Sequence, residues 1–217
     1  MTLVAFDFET LSQSELSTLL GAEYDRETEI RGLLEQGLGE ELDAATSLRQ
    51  RVALLEGMPE DQVETAFERC QLRDGAAELI ADLRRSDVTV ALITDSFEWG
   101  VETALDGAGI AVDHLVANQL GVDHGALTGD VDGPLLDGET DQPLREVAVI
   151  DGVDLDRTIA VGGRTTELPM LRTAETAIGF GPEPVVEQYC DTVVSSIRKL
   201  RLYFEQHGII DTGETGS

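Results

Sequence analysis

The stretch Leu3-Val4-Ala5-Phe6-Asp7-Phe8-Glu9-Thr10-Leu11 decides the fold. An apolar run ends in an acid, and a second acid follows two positions on. So brief a run, with Val in it and quickly punctuated, reads as a buried strand rather than a helix. As a central parallel strand it leaves Asp7 at its carboxyl end, where open α/β sheets bind ligands. If the strand carries on through Glu9, Asp7 and Glu9 point to one side, since side chains alternate with period two. Two neighbouring carboxylates can ligate a hard cation, or divide nucleophilic and acid–base work between them. The plainer alternative is a strand running out into a solvated acidic loop.

Working outward, residues 14 to 70 read as helical. Leu16, Leu19 and Leu20 open the pattern, and Gly21 is placed to end the first helix. Asp25 is placed to cap a second through Ile30, Leu33 and Leu34, before Gly37-Leu38-Gly39. Leu48, Val52 and Leu55 share a face of a third, and Pro59 opens a fourth with Val63 and Phe67 inward. More than fifty residues of helix after one strand is too long for a simple crossover and predicts an inserted cap. Further on, Val88–Ile93, Thr158–Gly162 and Ala177–Phe180 read as buried strands, with helices between them. Leu144, Val147 and Ile150 mark a short helix. Asp123-His124-Gly125 reads as the turn of a hairpin. Alternating strands and helices predict an α/β, doubly wound parallel sheet. The expected division is a core of residues 1–13 and 71–217, with 14–70 as a helical cap over Asp7. Asp7, Thr94 and Gly162-Gly163 then meet at one edge. The Gly/Thr/Glu-rich tail from Asp211 is expected to fray.

Composition narrows the partners. Lys+Arg number 15 against 43 Asp+Glu, a formal net charge of −28, and Lys199 is the only lysine. Such a surface repels nucleic acid and anionic membranes. No apolar run is long enough to span a bilayer, and the opening residues show no basic, apolar, small-residue pattern, so no signal peptide is expected. Two distant cysteines, Cys70 and Cys190, form no disulfide framework and fit a reducing cytoplasm. Dispersed acids with scarce lysine look like the cytoplasm of a salt-accumulating halophile, where salt screens the repulsion. His114, His124 and His207 are scattered and read as turn or surface residues, and Trp99 as a core or cleft-wall residue. Nothing in the sequence assigns an oligomeric state.

The order of the pieces resembles the haloacid dehalogenase (HAD) superfamily, on the phosphoserine phosphatase-like branch. The resemblance rests on Ser47-Leu48-Arg49-Gln50-Arg51-Val52-Ala53-Leu54-Leu55, on Leu127-Thr128-Gly129-Asp130-Val131-Asp132-Gly133-Pro134, and on Thr158–Gly162 with Leu168-Pro169-Met170-Leu171. It implies a HAD-like Rossmannoid fold, Mg²⁺ as cofactor and a small phosphorylated metabolite as substrate. It makes Asp7 the nucleophile that forms an aspartyl-phosphate, and Glu9 the acid–base group on a loop one residue shorter than the family's. Thr94 falls on the phosphate-binding hydroxyl, followed here by Asp95 and Ser96 rather than glycines. The motif lysine is missing from Leu136–Gln142, where Thr140 or Asp141 is its nearest equivalent. One magnesium-binding Asp is replaced by Gly163, leaving Asp7, Glu9 and Glu167 as the implied metal set, with Arg164 a new cation beside them that is expected to bind phosphate and replace part of the missing positive charge. In the cap, Glu15 and Arg51 fall on the substrate's amine and carboxylate contacts. Glu15 also suits a helix first turn, and Arg51 also suits a stem snorkelling over the surface. Ala44 stands where a bulky apolar residue is common.

Two readings follow. One is a phosphatase, slow because each lost electrostatic group costs about 3–4 kcal/mol of transition-state stabilisation. The other is a non-catalytic protein that binds a phosphorylated or amino-acid-like ligand. If metal anchoring is the main defect, restoring Asp at 163 is expected to raise activity.

Overall fold

The structure, a computed structural model, describes residues 1–39, 42–136 and 140–211. The lysine-motif positions 137–139 and the tail beyond Asp211 lie outside the described residues. Strand β1 (Thr2–Phe6) leads into a single helical turn, α1 (Phe8–Leu11). The helices α2 (Leu16–Glu23), α3 (Glu27–Leu38), α4 (Ala44–Ala53) and α5 (Glu60–Phe67) come next. Then follow α6 (Ala76–Arg85), β2 (Val88–Phe97), α7 (Glu98–Ala108), β3 (His114–Asp123) and β4 (Ala126–Asp132). The chain continues through α8 (Asp141–Ile150), β5 (Thr158–Gly162), α9 (Leu168–Thr173), β6 (Thr176–Phe180), α10 (Pro184–Glu187), β7 (Thr192–Val194) and α11 (Ile197–Gln206).

One seven-stranded sheet runs in the order β4-β3-β2-β1-β5-β6-β7. Every pair is parallel except β3 with β4. β1 lies centrally between β2 and β5, and Leu3, Val4, Ala5 and Phe6 are wholly buried. A parallel strand covered on both faces must be apolar throughout, which is why it reads as a run rather than an alternation. Val4 and Phe6 face a core shared with the helices α2–α5, α6 and α11. Leu3 and Ala5 face the opposite layer, built on Leu144 and Val147 of α8 and on Met170 and Leu171 of α9.

The helices between β1 and β2 bury Leu16, Leu20, Ile30, Leu48, Val52, Leu55, Val63 and Phe67 on that first face. The two chain segments entering and leaving this block are paired. Gln13 N–H donates to Gln71 O at 2.9 Å, and Arg73 N–H to Leu11 O at 2.7 Å. The β3–β4 hairpin also reaches the block, where Gly57 N–H donates to Leu127 O and Leu127 N–H to Met58 O, both at 2.9 Å. The hairpin turns through His124 and Gly125, both at positive φ, as a two-residue turn matching strand twist requires.

Several local expectations are corrected. β1 stops at Phe6, so Glu9 lies in a helical turn rather than in register along a strand. β2 runs past Thr94 to Phe97, with a register irregularity against β3 between Ile93 and Phe97. Gly21 does not end α2. A Cβ there would sit 2.9 Å from Ile30 Cδ1 and 3.2 Å from Glu27 Cα, so the glycine admits α3 at close range. Asp25 does not cap α3; it turns the chain at φ 54°, and Arg26 precedes the helix. Ile150 belongs to α8 but is 70% exposed.

Candidate functional site

Asp7 closes β1 and caps α1. Its N–H donates to Val161 O of β5 at 3.1 Å, and its Oδ2 accepts from Glu9 N–H at 2.9 Å. The sheet and the helical turn therefore fix this carboxylate together at the carboxyl end of the central strand. Two neighbouring elements complete the surroundings. From β2, the Thr94 hydroxyl hydrogen-bonds the Asp7 carboxylate, and Asp95 adds a second acid. From the loop after β5 come Gly163, Arg164 and Glu167. Glu9 reaches across to pair with the Arg164 guanidinium.

The electrostatics are those of crowded acids with one resident cation. Burial, then repulsion from Asp95, raises the Asp7 pKa to about 6, against the pull of Arg164 and the Thr94 hydrogen bond. Asp95 is raised to about 6 by burial and by Glu167. Glu167 is raised to about 7 by burial and by Asp7, although Arg164 and two backbone amides stabilise its charge. At neutral pH Asp7 is mostly ionised.

Two cavities flank this group. One, of about 350 Å³, is lined by Asp7, Glu9, Glu15, Arg73, Gly163 and Glu167 among others. The second, of about 400 Å³, is lined by Leu34, Leu42, Ala44, Ser47, Arg51 and Asp95 among others. Leu38, Arg164 and Glu183 line both, so Arg164 stands at their junction. Leu38 belongs to α3, which places part of the helical block against the same space as Asp7.

Glu15 and Arg51 are brought together rather than held apart. Arg51 Nη1 donates to Glu15 Oε1 and to Ser17 Oγ, both at 2.7 Å. Glu15 Oε2 accepts from Ser17 Oγ at 2.7 Å and caps α2 through Thr18 N–H at 2.9 Å. Arg51 is buried, which excludes the snorkelling alternative. Its Nε is buried with no hydrogen-bond partner among the described residues. Thr140, the nearest described equivalent of the motif lysine, is buried and uncharged. Its Oγ1 donates to Thr166 O at 3.2 Å and accepts from Met170 N–H at 3.1 Å, so it pins α9 to α8.

Other residues fall outside this centre. His114, the first residue of β3, pairs with Asp151 at 2.8 Å. His124 is exposed at the hairpin turn, and His207 stacks on Tyr203. Trp99 meets Phe67 edge-on at 5.8 Å, where α7 packs on α5. Sequence reasoning missed Arg73 and Glu183. Glu183 accepts from Thr165 N–H at 3.1 Å and from Thr165 Oγ1 at 2.6 Å. It follows β6, so the rule that strand ends carry ligand groups, applied to one more strand, would have found it.

The residues do not form the implied magnesium site. Among the described residues, no group of three or more His, Cys, Asp or Glu is placed to hold a metal. The three expected donors are otherwise engaged. Glu9 is paired with Arg164. Glu167 Oε2 accepts from Gly163 N–H and Arg164 N–H, each at 2.6 Å, and its Oε1 accepts from Thr166 Oγ1 at 3.0 Å. Asp7 Oδ2 is held by the α1 cap. Gly163 offers no side chain, and a Cβ there would lie 2.6 Å from Phe180 O.

Comparison with known proteins gives consistent matches. The family model described as haloacid dehalogenase-like hydrolase matches residues 4–172. A phosphoserine phosphatase of Halobacterium salinarum is 41% identical over 210 residues, covering 96% of this chain and 100% of its own. A substrate-bound phosphoserine phosphatase complex superposes with a TM-score of 0.87 at 30% identity, covering 93% of this chain and 97% of that one. A phospho-aspartyl intermediate analogue of phosphoserine phosphatase superposes with a TM-score of 0.86, also at 30% identity, covering 93% and 98%.

Proposed function

This chain belongs to the haloacid dehalogenase-like hydrolases, with phosphoserine phosphatases among its relatives, and we propose that it is a slow phosphomonoesterase working through Asp7. The observation that carries this reading is the placement of Asp7. It is buried, fixed by β5 and α1, bonded to the Thr94 hydroxyl and open to a cavity.

In the proposed reaction an Asp7 carboxylate oxygen attacks phosphorus, and the bond from phosphorus to the ester oxygen breaks. The leaving oxygen takes a proton from Glu9. Glu9 then removes a proton from water, which attacks the aspartyl-phosphate and releases phosphate with Asp7 restored. Thr94 and Arg164 hold the transferring oxygens, since a guanidinium matches phosphate geometry. Arg51, beside Glu15, is the group proposed to meet the carboxylate of an amino-acid-like substrate. Residues 14 to 70 serve as the lid, hinged at the paired segments around Gln13 and Gln71. The −28 charge and single lysine support a salt-rich cytoplasm as its setting.

Slowness follows from charge. Phosphoryl transfer depends mainly on positioning and on neutralising the phosphoryl oxygens. Here Asp7, Glu9, Asp95 and Glu167 surround the place where a dianion must enter, and Arg164 already serves Glu9. That ion pair specifically favours the second reading, a non-catalytic binding protein, because a carboxylate held by a guanidinium is a poor proton donor.

The test is phosphate release from phosphoserine with Mg²⁺ in molar potassium chloride, for the natural sequence and for Asp7→Asn. A slow release that Asp7→Asn abolishes is expected. Fast Mg²⁺-dependent turnover by the natural sequence would refute the impaired site. Saturable binding of phosphoserine without any release would establish the second reading. Release unchanged in Asp7→Asn would show that the activity belongs elsewhere.

A further inference from the structure

We infer that Arg164 is the built-in counter-cation of this site, and that the site binds a phosphate dianion without a divalent metal. The inference rests on the reading above that the cavity beside Asp7 takes phosphate. It goes further by assigning the source of positive charge, in disagreement with what the family implies.

Four observations converge on it. First, the carboxylates that would hold a cation already have partners. Glu9 is paired with the guanidinium, and Glu167 Oε2 accepts two backbone amides at 2.6 Å. A hard divalent ion gathers oxygen donors in a shell, and here one oxygen each of Asp7, Glu9 and Glu167 is already held by N–H groups. Second, the position that would supply a further carboxylate is Gly163, and the Phe180 carbonyl has closed over it. The gap a Cβ would need is 2.6 Å from that oxygen and 3.4 Å from Pro182 Cα. The closure is hydrogen-bonded, since Glu183 N–H donates to Gly163 O at 2.8 Å.

Third, Arg164 stands where the acids converge. Its guanidinium pairs with Glu9, and its backbone N–H donates to Glu167 Oε2 at 2.6 Å, so it touches the acids on either side of it. Its side chain is 27% exposed and lines both cavities. A guanidinium has five N–H donors, so pairing with one Glu9 oxygen does not use it up. Fourth, Arg51 lines the second cavity, and its buried Nε has no hydrogen-bond partner among the described residues. Arg51 thus places a second guanidinium on the wall of the cavity that Asp7 does not line.

The consequence is a phosphate site whose affinity is set by guanidinium hydrogen bonds and is indifferent to chelators. Charge-assisted hydrogen bonds of this type correspond to a roughly tenfold to hundredfold change in affinity.

The experiment uses the full chain in molar potassium chloride, with inorganic phosphate and Mn²⁺ as probes. Phosphate binding is measured by calorimetry with excess Mg²⁺ and again with EDTA, and Mn²⁺ binding by electron paramagnetic resonance. The expected result is equal phosphate affinity in both conditions, no saturable Mn²⁺ binding, and a loss of about tenfold or more in Arg164→Gln. Arg164→Lys keeps the charge opposite Glu9. It should hold an intermediate affinity and serves should the glutamine variant fail to fold. Saturable Mn²⁺ binding displaced by Mg²⁺, or a phosphate affinity that collapses in EDTA, would overturn the inference. Undiminished phosphate affinity in both Arg164 variants would overturn it equally. Phosphate that binds in neither condition, alongside absent Mn²⁺ binding, would sink the phosphate reading itself while leaving the exclusion of metal intact.

Discussion

Placing a side chain at Gly163 should destabilise the protein and should not restore activity. The reason is steric. A Cβ at this position would lie 2.6 Å from Phe180 O, well inside ordinary contact, and the opposed atom is backbone rather than the end of a flexible side chain. The segment after β6 has little room to retreat. Glu183 N–H is bonded to Gly163 O at 2.8 Å, and Gly181 N–H to Val194 O at 2.9 Å. Overpacking of this type costs about 1–3 kcal/mol. Removing a glycine returns about 0.4–1 kcal/mol through the unfolded chain. A net loss of about 1–2 kcal/mol follows, which for a chain of this length lowers Tm by about 2–8 °C. The assay is a thermal melt of Gly163→Ala and Gly163→Asp beside the natural sequence in molar potassium chloride, with phosphate release measured on the same samples. Alanine isolates the steric cost, and aspartate adds the carboxylate. The expectation from sequence alone, that Gly163→Asp raises activity, is reversed, because the new carboxylate enters only if the Phe180 segment leaves. A Gly163→Ala protein as stable as the natural one would refute the steric argument. A Gly163→Asp protein that gains Mg²⁺-dependent activity without losing stability would refute the reversal.

Arg51→Ala should cost about 3–5 kcal/mol in denaturant unfolding, because it leaves Glu15 and Ser17 in a nearly dry site without the cation that satisfies them; a loss below 1 kcal/mol would mean that the Glu15–Arg51 pair is not held as described. Stability at fixed molar salt should rise on acidification. Asp7 and Asp95 are raised from 3.8 to about 6 and Glu167 from 4.5 to about 7, so the folded state pays most for their charges above pH 7 and least below the ordinary carboxylate range. Asp7→Asn should flatten that dependence, and a natural protein whose Tm falls steadily from pH 8 to pH 5 would contradict it. Folding should need molar salt to screen the −28 charge, and a melt equally stable in dilute buffer and in molar potassium chloride would remove the idea.

The fold was legible where chemistry is local. Leu3–Phe6 is apolar at consecutive positions because both faces of β1 are covered, and a short run of that kind has few alternatives. The hairpin at His124-Gly125 was legible because its turn needs positive φ. Gly21 was misread because its role depends on Ile30 and Glu27 across a helix pair, not on its neighbours in sequence. Asp7 and Thr94 could be placed at one edge from strand order alone. The Glu9–Arg164 pair could not, since it joins the turn after β1 to the loop after β5 and depends on side-chain reach. The docking of the β4 end of the hairpin on Gly57 and Met58 was invisible for the same reason.

The departures from the motifs that the resemblance implies fit one another, and that bears on the proposed site. A motif that had merely decayed would leave buried carboxylates without partners, each at a cost of at least a few kcal/mol. Here the acids around the loop are satisfied. Glu167 takes the Gly163 and Arg164 amides, Glu183 takes the Thr165 amide and hydroxyl, and Glu9 takes the Arg164 guanidinium. Each pairing presupposes another departure. Glu9 is one methylene longer than the family's aspartate, and it projects from a helical turn that the shortened loop allows. Glu183 approaches the loop because the Phe180 segment sits against Gly163, where a side chain would block it. Arg164 is tolerable among acids because Glu9 is there to receive it. A set so interlocked resists reversion one residue at a time. It supports the proposed site, settled around a guanidinium and built for phosphate recognition with slow or absent hydrolysis.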